Sequence, residues 1–172
     1  VTNPTNAYAS DGSFATFSST NDVADYGGFG ITIPSGSVIT GIEVQIQGRK
    51  DNDRQLEAVS LSWNNGSSYS NAVPLTTFTG TNAYQNIGSN LWGRAWAVSE
   101  LSNANFRIRL DATLARADLL IDHVQVKVYY SLPGDLVSLI FNNNGSFTVP
   151  NCVTSITVEA WGGGGAGGGV TT

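Results

Sequence analysis

The chain has 172 residues, enough for one ordinary domain with its own core and part of another. Eight Lys and Arg stand against 13 Asp and Glu, a net charge of −5 with only 12% of residues charged, so the basic footprint of a nucleic-acid binder is missing. No run approaches the ~20 apolar residues of a membrane span, and the single Cys152 cannot close an internal disulfide.

Twenty Gly, many Ser, Thr and Asn, and 10% aromatics are a composition associated with secreted or virion β-proteins. The chain begins at Val1 without Met or signal peptide, which predicts a processed product or an excised piece. Residues 1–30 hold turn clusters (NPTNAY, SDG, DYGGFG) around short apolar pieces, predicting brief strands at Tyr8–Ala9 and Ser13–Phe17 and then a loop. Phe29, Ile31 and Ile33 alternate with Gly30 and Thr32 up to the Pro34-Ser35-Gly36 turn, and predict a further strand. In Ile39–Gln47, Ile42, Val44 and Ile46 point one way and Glu43, Gln45 and Gln47 the other.

A charged loop, GRKDNDR at 48–54, leads to a strand at Ala58–Trp63, where Val59, Leu61 and Trp63 share a face; Asn64-Asn65-Gly66 then marks a turn. Pro74–Gly80 is a weaker strand. The segment LWGRAWAVSELSNANF, residues 91–106, predicts one short helical turn or a loop plugging the end of a sandwich. Phe106, Ile108, Leu110 and Ala112 define another strand. In the last one, Leu119–Tyr130, Val124, Val126, Val128 and Tyr130 oppose His123, Gln125, Lys127 and Tyr129. Asp122 shares parity with the valines, which places it at the sheet margin or under a neighbouring loop that donates to it. Glu43 could pair with Arg107, Arg109 and Lys127 across strands. Together these segments predict an all-β fold, an antiparallel β-sandwich of jelly-roll type over residues 1–131, a hinge at 132–135 around Leu132-Pro133-Gly134, and an incomplete β segment with a polyglycine tail over 136–172.

The motifs NPTNAYASDGSFAT, FGITIPSGSVITGIEVQIQG, LWGRAW with SELSNANFRIRL, and IDHVQVKVYY, spanning residues 3–131, resemble a β-sandwich module of phage-tail or virion-associated proteins and bacterial surface proteins. The resemblance implies a non-enzymatic structural or receptor-facing role at a cell surface or on a virion, and carries over no catalytic residue. Phe141–Gly169 resembles the start of a glycine-rich surface domain, with Cys152 where that pattern more often has glycine.

In the tail, the expected strands are Val137–Phe141 or Phe147–Val149, and Val153–Trp161. Ile156, Val158, Ala160 and Trp161 form the candidate assembly strand, because two strands alone are marginal and need another sheet edge. The expected partners are further copies or other surface and virion structural proteins, and head-to-tail contacts of this kind build rings or filaments.

GGGGAGGG at 162–169 lacks the Lys-Ser/Thr of a phosphate loop and reads as linker or packed polyglycine. Asp51 and Asp53 are candidate oxygen ligands for a structural Ca²⁺, with solvated loop charges as the plainer reading. His123 has no zinc-site companions, and adjacent Asp122 points to the opposite face, which rules out a Ser-His-Asp arrangement between them. Trp92, Trp96 and Tyr84 are the candidate aromatics for stacking a surface glycan, against the alternative that the tryptophans plug the core.

Overall fold

The computed structural model describes residues 1–19, 21–51, 58–74, 78–112, 118–133, 140, 146–149 and 155–160. The chain divides into two units, Val1–Asp135 and Leu136–Thr172. Among the described residues the first contains eight strands: β1 (Ala15–Phe17), β2 (Asp22–Tyr26), β3 (Val38–Lys50), β4 (Ala58–Ser62), β5 (Val73–Pro74), β6 (Ala83–Ile87), β7 (Arg107–Ala112) and β8 (Leu119–Ser131). Short 3-10 turns cover Pro4–Ala7 and Val98–Leu101, the second where one helical turn is expected.

Two four-stranded antiparallel sheets form a β-sandwich, the first in the order β1-β8-β3-β6 and the second β2-β7-β4-β5. Successive strands change sheet at every step except β4–β5. The alternation in the sequence explains the core. Ile42, Val44 and Ile46 of β3 and Val124 of β8 meet Val59 and Leu61 of β4 and Ile108 and Leu110 of β7 in one buried cluster.

Two elements go unseen in the sequence. In β2, Ala24 and Tyr26 face inward while Val23 is exposed, so the apolar signal is inverted. In β6, Tyr84 and Asn86 face outward, and the inward positions hold Gln85 as well as Ile87, so the apolar alternation of a half-buried strand is missing. Conversely, Phe29, Ile31 and Ile33 pack against the core without joining a ladder, in a stretch whose Gly28 and Gly30 take left-handed φ of 78° and 67°. The Pro74–Gly80 strand is reduced to Val73–Pro74 among the described residues.

Of the two readings of Asp122, the structure bears out the neighbouring loop that donates to it and corrects the sheet margin. Its side chain is 2% exposed, and it occurs where the β3–β8 register shifts from Gln47↔His123 to Gly48↔Ile121. It is the extra residue of a β-bulge, so Leu119 and Ile121 face inward before it and Val124 inward after it, two phases in one strand. Its Oδ1 accepts the backbone N–H groups of Asp11 (3.2 Å) and Gly12 (3.0 Å), and Oδ2 accepts Asn82 Nδ2 (2.6 Å). Gly48 stands opposite because a Cβ there would approach Leu120 O to 2.7 Å.

In the second unit, the described residues 146–149 and 155–160 lie outside any strand, which corrects the expectation for Phe147–Val149 and for that part of Val153–Trp161. Ile156 and Val158 are 55% and 79% exposed, Ala160 is exposed, and Trp161 lies outside the described residues, as does most of Val137–Phe141.

Candidate functional site

The tryptophans of the 91–106 segment are structural. Trp92 is buried, its Nε1 donates to Ile42 O at 2.7 Å, and its N–H donates to Asn90 Oδ1 at 2.8 Å. Its φ of 55° is rare for a bulky residue and is held by that burial and by those two bonds. Trp96 donates from Nε1 to Leu91 O at 2.9 Å and meets Trp63 and Phe106 edge to face. The Arg94 guanidinium lies over Trp63 (4.0 Å) and Trp96 (4.5 Å) and forms a two-point contact with Glu100 at 2.8 and 3.2 Å. Buried rings present no face to a sugar, so Trp92 and Trp96 leave the candidate ligand site and become the plug.

Glu100 also accepts the N–H of Ala97 at 2.8 Å. Partial burial pushes its carboxyl up, but the Arg94 and Ala97 hydrogen bonds outweigh this and hold it below the ordinary glutamate range.

The charged side chains of the second sheet take partners of their own. Arg109 of β7 grips Asp25 of β2 through two 2.8 Å bonds and lies over Tyr69, whose hydroxyl donates to the same carboxylate. Arg107 donates to the carbonyls of Asn103, Ala104 and Phe106. Both arginines belong to the second sheet and Glu43 to the first, so of the expected pairings only the β3–β8 neighbours Glu43 and Lys127 face each other. Asp51 is bonded by Arg49 at 2.7 Å, and Asp53 lies outside the described residues. A carboxylate already engaged by a guanidinium is a poor calcium donor, and the described residues contain no group of three or more His, Cys, Asp and Glu gathered for a metal.

Tyr84 remains, 45% exposed, and its surroundings are the part the sequence did not assemble. The register aligns it with Gln47 and His123 in one row across β6, β3 and β8, and aligns Asn86, Gln45 and Gln125 in the next. Tyr84 Oη lies 2.9 Å from His123 Nδ1, and the two rings meet edge to face. Ser10 Oγ donates to Gln47 Oε1. In the second row, Gln125 Nε2 donates to Gln45 Oε1 at 2.7 Å and Gln45 Nε2 to Asn86 Oδ1 at 2.9 Å. A third row closes the face, where Glu43 accepts from Gln45 (3.3 Å) and from the Tyr129 hydroxyl (2.9 Å) while Lys127 lies over the Tyr129 ring. The bulge interrupts the alternation expected between Asp122 and His123, but the two have separate partners: Asp122 accepts from Asp11, Gly12 and Asn82, and His123 Nδ1 meets the Tyr84 hydroxyl.

A second feature belongs to the backbone. β8 pairs with β3 along its length, whereas on its other side β1 pairs only with Leu119–Ile121, followed by a single bridge between Tyr8 and His123. Beyond that bridge, no backbone–backbone hydrogen bond among the described residues engages the outer side of Val124–Ser131. Alternate residues of this stretch direct their N–H and C=O groups there.

Comparisons of the chain with protein-family models, with curated proteins and with solved structures gave no match.

Proposed function

We propose that this chain is a non-enzymatic structural module of an extracellular appendage, filament or virion tail, a jelly-roll β-sandwich joined to neighbouring subunits by strand addition. The jelly-roll assignment draws its support from the strand orders 1-8-3-6 and 2-7-4-5, in which early and late strands interleave in both sheets. The observation that carries the assembly reading is the outer side of Val124–Ser131 in β8, which takes no backbone partner among the described residues. A strand edge of this length invites another chain unless it is covered. The same sequence supplies the complement, the alternating segment 153–161, whose Ile156 and Val158 are exposed and outside any strand in the described residues.

In this reading the 153–161 segment of one copy pairs with Val124–Ser131 of the next. Main-chain bonds supply the affinity, and the alternating side chains supply the register. Such a contact is head-to-tail and propagates. The non-enzymatic part is supported by the commitment of the ionisable side chains to structural partners: His123 to Tyr84, Asp122 to loop amides, Glu100 to Arg94 and Asp25 to Arg109.

The test is sedimentation velocity and negative-stain microscopy of the full chain over a concentration series, beside Ile156→Lys/Val158→Lys and a chain lacking 136–172. Concentration-dependent oligomers that both altered chains abolish are expected. A parent chain that stays monomeric throughout overturns the reading.

A further inference from the structure

The outer face of the first sheet is unusual for a strand surface that meets water. Such positions commonly carry charged residues, yet the two central rows hold Tyr84, Gln47, His123, Asn86, Gln45 and Gln125, none of them a carboxylate, lysine or arginine. We infer that this face is a binding platform for a neutral glycan, with the Tyr84 ring as the stacking surface and the Asn86–Gln45–Gln125 amide row as the hydroxyl-recognition element.

Three observations select that ligand class. First, the side chains are held in place before any ligand arrives. Tyr84 is tethered through its hydroxyl to His123, Gln47 by Ser10, and the amide row by its own two hydrogen bonds, so little side-chain freedom is left to lose on binding. Second, the amide row has a direction. Each link uses an N–H of one amide and the carbonyl oxygen of the next, which leaves Asn86 Nδ2 as a donor at one end and Gln125 Oε1 as an acceptor at the other, with no partner for either among the described residues. A sugar hydroxyl both donates and accepts, and a pair of hydroxyls can satisfy both ends. Third, the charges nearby are already engaged. Glu43 accepts from Gln45 and Tyr129, and Lys127 lies over the Tyr129 ring, so the face offers no free pair of cations to an anion and no free carboxylate pair to a cation.

Tyr84 completes the arrangement. An exposed aromatic ring presents flat apolar area beside a polar edge, which suits the C–H face of a sugar ring whose hydroxyls reach the neighbouring amides. Three strands at ~4.8 Å spacing give the row from Tyr84 to His123 a backbone span of about 10 Å, enough to contact more than one sugar unit. The platform is the face of the sheet and the assembly contact is the edge of β8, so each can fail without the other.

The experiment uses the full chain. Affinity electrophoresis and calorimetric titration are run against soluble neutral glucans, mannans, xylans and galactans, with alginate as the acidic control. Binding to at least one neutral glycan and none to alginate is expected, with a loss of ~10-fold in affinity for Tyr84→Ala and a smaller loss, about 3-fold or more, for Asn86→Ala and Gln125→Ala. Tyr84→Phe keeps the ring and should retain most of the affinity. The His123 ring signals should shift in NMR spectra on addition of the bound glycan. Thermal melting alongside the parent verifies folding of each variant, and the amide substitutions keep the test decisive if Tyr84→Ala fails to fold. Failure to bind any neutral member, binding to alginate alone, or unchanged affinity in Tyr84→Ala and Asn86→Ala overturns the inference.

Discussion

Replacing Asp122 by alanine removes one buried carboxylate that holds three donors: the amides of Asp11 and Gly12 at 3.2 and 3.0 Å and Asn82 Nδ2 at 2.6 Å. A hydrogen bond to a charged group contributes ~1.5–3 kcal/mol, and a donor stranded away from water costs ~1–3 kcal/mol. Asp11 and Gly12 are exposed residues, so water can reach their amides and each loss shrinks to ~0.5–1 kcal/mol; half-buried Asn82 retains about 1–2 kcal/mol. The sum is ~2–4 kcal/mol out of the ~5–15 kcal/mol that stabilises a domain, or a fall of roughly 6–12 °C in melting temperature. Urea unfolding measures it, with an unchanged slope if only the native state is affected. Asp122→Asn keeps an acceptor for the loop amides but turns an NH₂ toward Asn82, and should lose about half as much. Hydrogen exchange at Asp11 and Gly12 should accelerate in the alanine variant first. A loss below ~0.5 kcal/mol, or equal losses in both variants, would refute the account of Asp122 as the anchor of the 11–12 loop.

Two further outcomes follow from the ionisable groups. Because Glu100 is held below its ordinary range when folded, its contribution is present above the unfolded glutamate value of ~4.3 and disappears as pH falls through the lower folded value. Acid unfolding of the parent should therefore steepen below about pH 4 relative to Glu100→Gln, and Arg94→Ala should cost ~1.5–3 kcal/mol at neutral pH by removing the guanidinium from between Trp63 and Trp96; parallel acid curves would refute the pairing. Tyr26 is buried with its hydroxyl unpaired among the described residues, and burial, with a smaller contribution from Tyr8, pushes its pKa far up. Below the unfolded tyrosine value of ~10 the hydroxyl is neutral in both states and carries no ionisation penalty, whereas above it stability is lost as pH rises toward the higher folded value; Tyr26→Phe should therefore be neutral or stabilising by up to ~1 kcal/mol at pH 7 and should blunt alkaline unfolding. A loss above ~1 kcal/mol in Tyr26→Phe would mean the hydroxyl has a partner.

The long central strands were legible because their inward positions are large and aliphatic at a period of two: Ile42, Val44 and Ile46 in β3, Ile108 and Leu110 in β7. β2 escaped because its valine faces water and an alanine faces the core. Asp122 misled for a different reason. A bulge changes the phase of a strand without changing its composition, so Leu119 and Ile121 look outward-facing when counted from Val124. The candidate site was legible only as single residues. Tyr84 could be singled out as an aromatic, but its row with Gln47 and His123 is set by the pairing of β3 with two strands far from it in sequence, β6 and β8, which local pattern does not encode. Trp92 and Trp96 were the converse. Aromatics in a loop look alike whether they face out or in, and the stacking of Arg94 on Trp63 and Trp96 that closes the arrangement is visible only in the structure.

The placement of β8 also decides how the sandwich bears tension. β1 holds the Leu119–Ile121 end of β8, and the chain leaves from Ser131 at the other end. At ~3.4 Å per residue, a pull between these points runs about 40 Å along β8, parallel to the strand and across the hydrogen bonds to β3. Bonds loaded sideways in this way must give way together, whereas bonds pulled lengthwise at a strand end open one at a time. The bulge at Asp122 adds a tooth to the interface, because sliding β8 along β3 would carry the extra residue out of the pocket formed by the 11–12 loop and Asn82. The fold is therefore geared to resist stretching along β8, which with β3 is its longest strand.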